Sequence, residues 1–113
     1  MNDNIAVASG NRAVAEGFET KAVGEFSHAE GYETTARGVA AHAEGRYTEA
    51  SGINSHAEGN MTKAVGSYTH SEGYNSQAIG VASHAEGSGT IANGPKSHAE
   101  GSGTIANGEN SHV

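Results

Sequence analysis

Leucine, cysteine and tryptophan are absent from this chain, proline and aspartate each occur once, and aromatic residues make up 5% of it. Without cysteine there is no disulfide framework and no thiolate chemistry, and any redox compartment is compatible. Without leucine or tryptophan the usual large core side chains are missing, so an interior must be thin and made of Ala, Ser, Thr and Gly. Basic residues number 6 against 13 acidic ones, for a formal net charge of −7. The six are scattered, whereas phosphate binding needs clustered Lys and Arg, so neither nucleic acid nor an anionic membrane is expected as a partner. No apolar run approaches the ~20 residues of a membrane span, so no membrane insertion is expected. Met1-Asn2-Asp3-Asn4 has no basic stretch followed by an apolar one, and no signal peptide is visible.

What is abundant is repetition. Ser27-His28-Ala29-Glu30-Gly31 returns at 55–59, 83–87 and 97–101, with near copies at 41–45 and 69–73. An earlier copy, Ala13-Val14-Ala15-Glu16-Gly17, has Val in the His slot. Between the copies lies a looser pentad, Thr20-Lys21-Ala22-Val23-Gly24, repeated at 34–38, 48–52, 62–66, 76–80, 90–94 and 104–108. The chain is one heptad, [Ser/Thr]-x-Ala-x-Gly-x-x, in two alternating flavours, and 15 of its 17 glycines fall in the two registers. Segments 83–94 and 97–108 are identical, which suits an element tolerant of length change. A single repeat domain is expected over 1–113: a lead-in at 1–6, repeats over 7–113 and an end that falls mid-coil.

A heptad period raises the coiled coil, but that fold needs large apolar a and d residues, and each helical Gly costs ~1 kcal/mol relative to Ala. Collagen requires Gly at every third residue. A calcium-binding β-roll uses a nine-residue Gly/Asp repeat. Strand alternation fits instead. In Ser-His-Ala-Glu-Gly the first, third and fifth residues share one face and the second and fourth the other. The small set fills a narrow interior; the set containing His, Glu, Lys, Arg, Gln, Val and Ile points out. Five strand residues, two corner residues, five more and two more make one 14-residue, two-sided coil. All six aromatics and Pro95 occupy corner slots. The pattern predicts an all-β parallel roll, a solenoid of about eight coils.

An Ala/Ser/Thr interior buries little apolar surface, and each backbone hydrogen bond nets only ~1 kcal/mol, so side-by-side association is expected to supply the rest. The paired [Ser/Thr]-x-Ala-x-Gly heptads resemble the head repeats of trimeric autotransporter adhesins, the YadA-like heads, in the SHAEG form of phage and prophage tail fibre proteins. That resemblance implies a left-handed parallel β-roll with three chains around one axis. Two departures stand out. Outward aliphatics typical of the adhesin motif are replaced by His and Glu on one strand, and the signal, stalk and anchor of those adhesins are not in this sequence.

All seven histidines share one slot: His28, His42, His56, His70, His84, His98 and His112. Glu16, Glu30, Glu44, Glu58, Glu72, Glu86 and Glu100 fill the slot two residues on. Both sets project from one face in columns of ~4.8 Å spacing. If the other strand faced a three-fold axis, Lys21, Arg37 and Lys63 would form rings of like charge, which costs several kcal/mol at intermediate dielectric. The ladder from His28 and Glu30 to His98 and Glu100 is therefore expected at the trimer interface. It can serve as a polar packing network, as an exposed decoration, or as metal ligands, with three symmetry-related imidazoles on Zn²⁺ or Ni²⁺. Stacked imidazoles should charge below about pH 6 and repel. Seven equivalent sites with no singular nucleophile argue against an enzyme, and no cofactor is implied.

Two function classes survive. One is a structural trimeric segment, a spacer or display module of a phage tail fibre or bacterial surface adhesin, located on a virion or cell surface. The other is a host-surface receptor module, in which Tyr32, Tyr47, Tyr68 and Tyr74 contact a glycan or protein.

Overall fold

A computed structural model describes residues 5–113 as a parallel β-solenoid of 46 × 24 × 13 Å. Two flat ladders run its length, one of eight strands and one of seven, so seven coils are closed and an eighth is begun. No helix occurs among the described residues. Each strand pairs with the one 14 residues away, in register: His28 with His42, Ala29 with Ala43, Lys21 with Thr35.

The two flanks are unequal, which corrects the expectation of five strand residues on each. The His/Glu flank has five-residue strands, His28–Tyr32, His42–Arg46, His70–Tyr74 and His84–Ser88 among them, interrupted by two-residue strands at His56–Ala57 and His98–Ala99. The variable flank has two-residue strands such as Lys21–Ala22 and Gln77–Ala78. The reason lies in the backbone. The N–H groups of Val23 and Gly24 both donate to the Ala36 carbonyl, at 2.8 and 3.3 Å, so one acceptor serves two donors and the ladder ends in a bend.

The interior is small side chains from end to end. Ala22, Ala29, Ala36, Ala43, Ala50 and their successors are 0–1% exposed, and Thr20, Thr34, Thr48, Thr62 and Thr90 are equally buried. The hydroxyls explain the [Ser/Thr] slot. Ser27 Oγ donates to the Gly24 carbonyl at 2.6 Å, and Thr34 Oγ1 donates to the Glu30 carbonyl at 3.1 Å. Many inward hydroxyls satisfy a nearby carbonyl in this way, as buried polar groups require, whereas those of Thr20, Ser83, Thr90 and Ser97 have no partner within the chain. Ser71, the single break in its Ala register, stands opposite Ser76, the single Ser in the Thr register from 20 to 104. Their Oγ atoms lie 2.9 Å apart, and Ser71 Oγ also donates to the Ser76 carbonyl at 2.9 Å. A methyl lost on one flank makes room for a hydroxyl gained on the other.

The glycines of the His/Glu pentad do not point inward as expected. Gly31 is exposed at φ +111, in the left-handed region, and a carbon added to it would overlap the Gly45 carbonyl oxygen. Only glycine takes that conformation at such close backbone approach. Corners turn on a second left-handed residue, and thirteen of these are not glycine, Phe26, Glu33, Ala40 and Tyr47 among them. Each such residue costs roughly 1–2 kcal/mol. They are held by ladder bonds that continue around the corner: Phe26 N–H to the Asn11 carbonyl at 2.9 Å, Glu33 N–H to the Phe18 carbonyl at 2.7 Å.

Candidate functional site: a stacked histidine–glutamate column

Strand alternation sends Ala29 inward and His28 and Glu30 outward, and in-register pairing repeats the arrangement coil after coil. From His28 to His112 the imidazole rings form one stack, with centroids 4.6–4.9 Å apart and planes within 6° of parallel. Every Nε2 from His28 to His98 lies 2.9–3.4 Å from Oε1 of the Glu two residues on. Most also lie within 3.9 Å of the Glu one coil earlier, as His42 does with Glu30 and His56 with Glu44.

The two ends of the column differ from its middle. His28 Nε2 is hydrogen-bonded to Glu16 at 3.2 Å and His112 Nε2 to Glu100 at 3.4 Å. In His42, His56, His70, His84 and His98, Nε2 is closed to solvent yet aligned with no hydrogen-bond partner. The carboxylate oxygens are near but off the N–H direction. Burial pushes the His56 imidazole below its ordinary pKa, and neighbouring His42 and His70 push the same way, against Glu58 and Glu44. His84 is lowered alike, by burial first and then by His70 and His98, against Glu86 and Glu72.

The opposite flank presents no such column. Outward positions change from coil to coil, through Lys21, Thr35, Glu49, Lys63, Gln77 and Ile91. Its best-defined contact is Arg37 Nε to Glu49 Oε2 at 2.8 Å, with Ser51 Oγ donating to the same oxygen at 3.1 Å. Burial alone would raise the Glu49 carboxyl, but those two hydrogen bonds and the charges of Arg37 and Lys63 hold it below its ordinary value.

The four tyrosines do not form one patch. Tyr32 and Tyr47 meet at one corner, edge to face at 5.5 Å, and Tyr74 lies farther along that same corner. Tyr68 occupies the other corner, in the slot of Phe26. Two residues join the pair that alternation arithmetic alone did not single out. Phe18 stacks on Tyr32 at 4.8 Å, and the Arg46 guanidinium stands 5.1 Å from the Tyr32 ring centre and 5.6 Å from that of Tyr47. The signal was the register itself, since 18, 32 and 46 are one slot at 14-residue steps. The phenol of Tyr32 is raised above its ordinary pKa, first by the Tyr47 charge and its hydrogen bond. Beside this cluster lies an open hollow of ≈ 420 Å³ lined by Tyr47, Met61, Lys63, Asn75 and Gln77.

Among the described residues no helix is long and apolar enough to cross a membrane. None of the curated proteins matches the chain. Two overlapping stretches, residues 71–97 and 85–111, each match the family model of the YadA head domain repeat. The same strand register continues from those residues back to Val7 without a break. Residues 71–111 are YadA-like head repeats, and the coils before them share their register.

Proposed function

We propose that the chain is one continuous repeat domain acting as a rigid trimeric segment. It serves as a spacer or display module of a bacterial surface adhesin or phage tail fibre, with the His/Glu flank turned to the three-fold axis. The observation that carries this reading is the contrast between flanks: one outer face is uniform over six coils and the other drifts. A face repeated without change suits an environment repeated by symmetry. The His/Glu face also places a carboxylate beside every imidazole from His28 to His98, so its charges are compensated within one chain. An open ladder of half-exposed rings is, besides, apolar surface that association removes from water. The family is one of structural adhesin repeats, and no residue of the column has the singular, shaped setting that catalysis demands.

Charge substitutions on the two flanks test the arrangement. Glu58→Lys should dissociate the assembly, because it sets three cations around the axis, whereas Gln77→Lys should leave it whole. Equal effects on assembly from the two would refute the axial placement. A second reading rests on the Phe18–Tyr32–Arg46–Tyr47 corner, an exposed aromatic and cationic edge of the kind that stacks on sugar rings or side chains of a host-surface receptor. Glycan-array binding lost in Tyr32→Ala and Tyr47→Ala, with assembly intact, would favour it.

A further inference from the structure

We propose that the His/Glu column binds divalent transition-metal ions, zinc and nickel foremost, in His–Glu–His sites spaced along the roll. Five consecutive groups, from His28–Glu30–His42 to His84–Glu86–His98, each bring three ligand atoms within 4.8 Å of one another. Two ligands on one such ion, each at ~2.0–2.2 Å, stand about 3 Å apart. The Nε2–Oε1 separations of 2.9–3.4 Å already meet that spacing.

A second observation points the same way. Five Nε2 atoms of the column are shut from solvent with no hydrogen-bond partner, though each has a carboxylate oxygen within 3.4 Å. A polar atom in that condition lacks the water it would otherwise hold, which normally costs about 1–3 kcal/mol. A cation beside each carboxylate would engage the nitrogen lone pair and relieve the column of like charges together. Imidazole with carboxylate selects Zn²⁺, Ni²⁺, Co²⁺ or Cu²⁺ over Mg²⁺ or Ca²⁺, which favour all-oxygen sites. The rings stand parallel, so the second imidazole of each group joins by turning about χ2, a soft torsion for histidine.

Adjacent groups share a histidine, so only alternate ones can fill. Those headed by His28, His56 and His84 give about three ions per chain. All ligands of a site come from one chain, so the inference stands or falls independently of the trimer.

The test uses the tag-free, chelator-stripped full chain, titrated with ZnCl₂ by calorimetry, with bound metal counted by elemental analysis. About three zinc ions per chain are expected, with a rise in melting temperature. Glu30→Gln together with Glu44→Gln should lower the count by about one, and Glu33→Gln, off the column, should not change it. Cobalt(II) in place of zinc should give the visible bands of a mixed nitrogen and oxygen site, which charge screening alone does not produce. Circular dichroism establishes that the variants fold, and His42→Asn, which removes the first two groups at once, repeats the test should the double variant fail to. Zinc uptake unchanged when Glu30, Glu44, Glu58, Glu72, Glu86 and Glu100 are all replaced by Gln would overturn the proposal. So would no uptake at all, or Mg²⁺ competing on equal terms.

Discussion

The two flanks of this solenoid share one interior and differ in almost everything outside it. On one, strands of five residues, shortened to two at His56–Ala57 and His98–Ala99, carry the same His and Glu in coil after coil, packed ring on ring. On the other, two-residue strands carry whatever each coil supplies, from Lys21 to Ile105. The Ala, Ser and Thr beneath are equally buried on both sides. Folding of the single chain therefore makes no demand for a uniform outer face. On the proposed assembly, the demand comes from the partner chains that this face meets.

The sharpest way to break the comparison is at its glycines. Gly45 and Gly52 sit on opposite flanks, and a side-chain carbon at either would overlap a backbone carbonyl oxygen of the next coil, that of Gly59 or Gly66. Gly45 is also held at φ +105, which Gly52 is not. Both Gly→Ala changes should therefore destabilise, with Gly45→Ala the worse by the left-handed strain. The expected loss at Gly45 is roughly 3 kcal/mol or more, read as a fallen melting temperature or failure to fold. Equal or negligible losses would contradict the account of the two glycine registers.

Next in size is the Ser71–Ser76 contact, where the flanks meet through the core. Ser76→Thr restores the common residue of the variable flank but pushes a methyl into the space of the Ser71 hydroxyl. A loss of about 1–3 kcal/mol is expected, and Ser71→Ala in the same chain should recover most of it. Thermal melts of the two single variants and the double variant check the coupling, and additive effects would refute the compensation.

Acidification should separate the flanks chemically. In chelator-containing buffer His56 and His84 are held below their ordinary pKa, facing His42, His70 and His98 along the stack and Glu44, Glu58, Glu72 and Glu86 beside it. A depressed folded pKa means that the unfolded chain takes up protons first. Stability is therefore complete above about pH 6.5 and falls as pH drops below it. Melting temperature should decline between pH 7 and 5, and His56→Asn with His84→Asn should flatten the slope. A wild-type profile level over that range would sink the explanation.

The smallest effect belongs to the variable flank. Arg37 and Glu49 form an exposed pair, worth about 0.2–1 kcal/mol, so Arg37→Gln should cost no more than that, and the difference should vanish in high salt.

Much of this was legible in the residues, and the parts that were not share a cause. Side-chain size at Ala22, Ala36 and Ala50, alternating with Lys21, Arg37 and Glu49, displays the inward and outward sets directly. The corner slots are equally plain, because Phe26, Tyr47 and Pro95 fit nowhere else in the heptad. Backbone conformation is less visible. Alternation treats each pentad as uniformly extended, so it turns Gly31 inward and gives both flanks the same strand length. The shared Ala36 carbonyl and the left-handed φ of Gly31 break that symmetry, and neither leaves a mark in residue size. The columns of His28 to His98 follow from spacing alone. The aim of their Nε2 atoms depends on ring rotation, and the meeting of Tyr32 with Tyr47 but not Tyr68 depends on which corner each turns around.

The central claim is that this thin roll stands with two companions and hides its His/Glu face among them. Sedimentation equilibrium of the purified chain measures it most directly. Three times the chain mass of 11.4 kDa, unchanged on dilution and on addition of chelator, is the expected result. A monodisperse species of 11.4 kDa with a fully ordered β spectrum would contradict it.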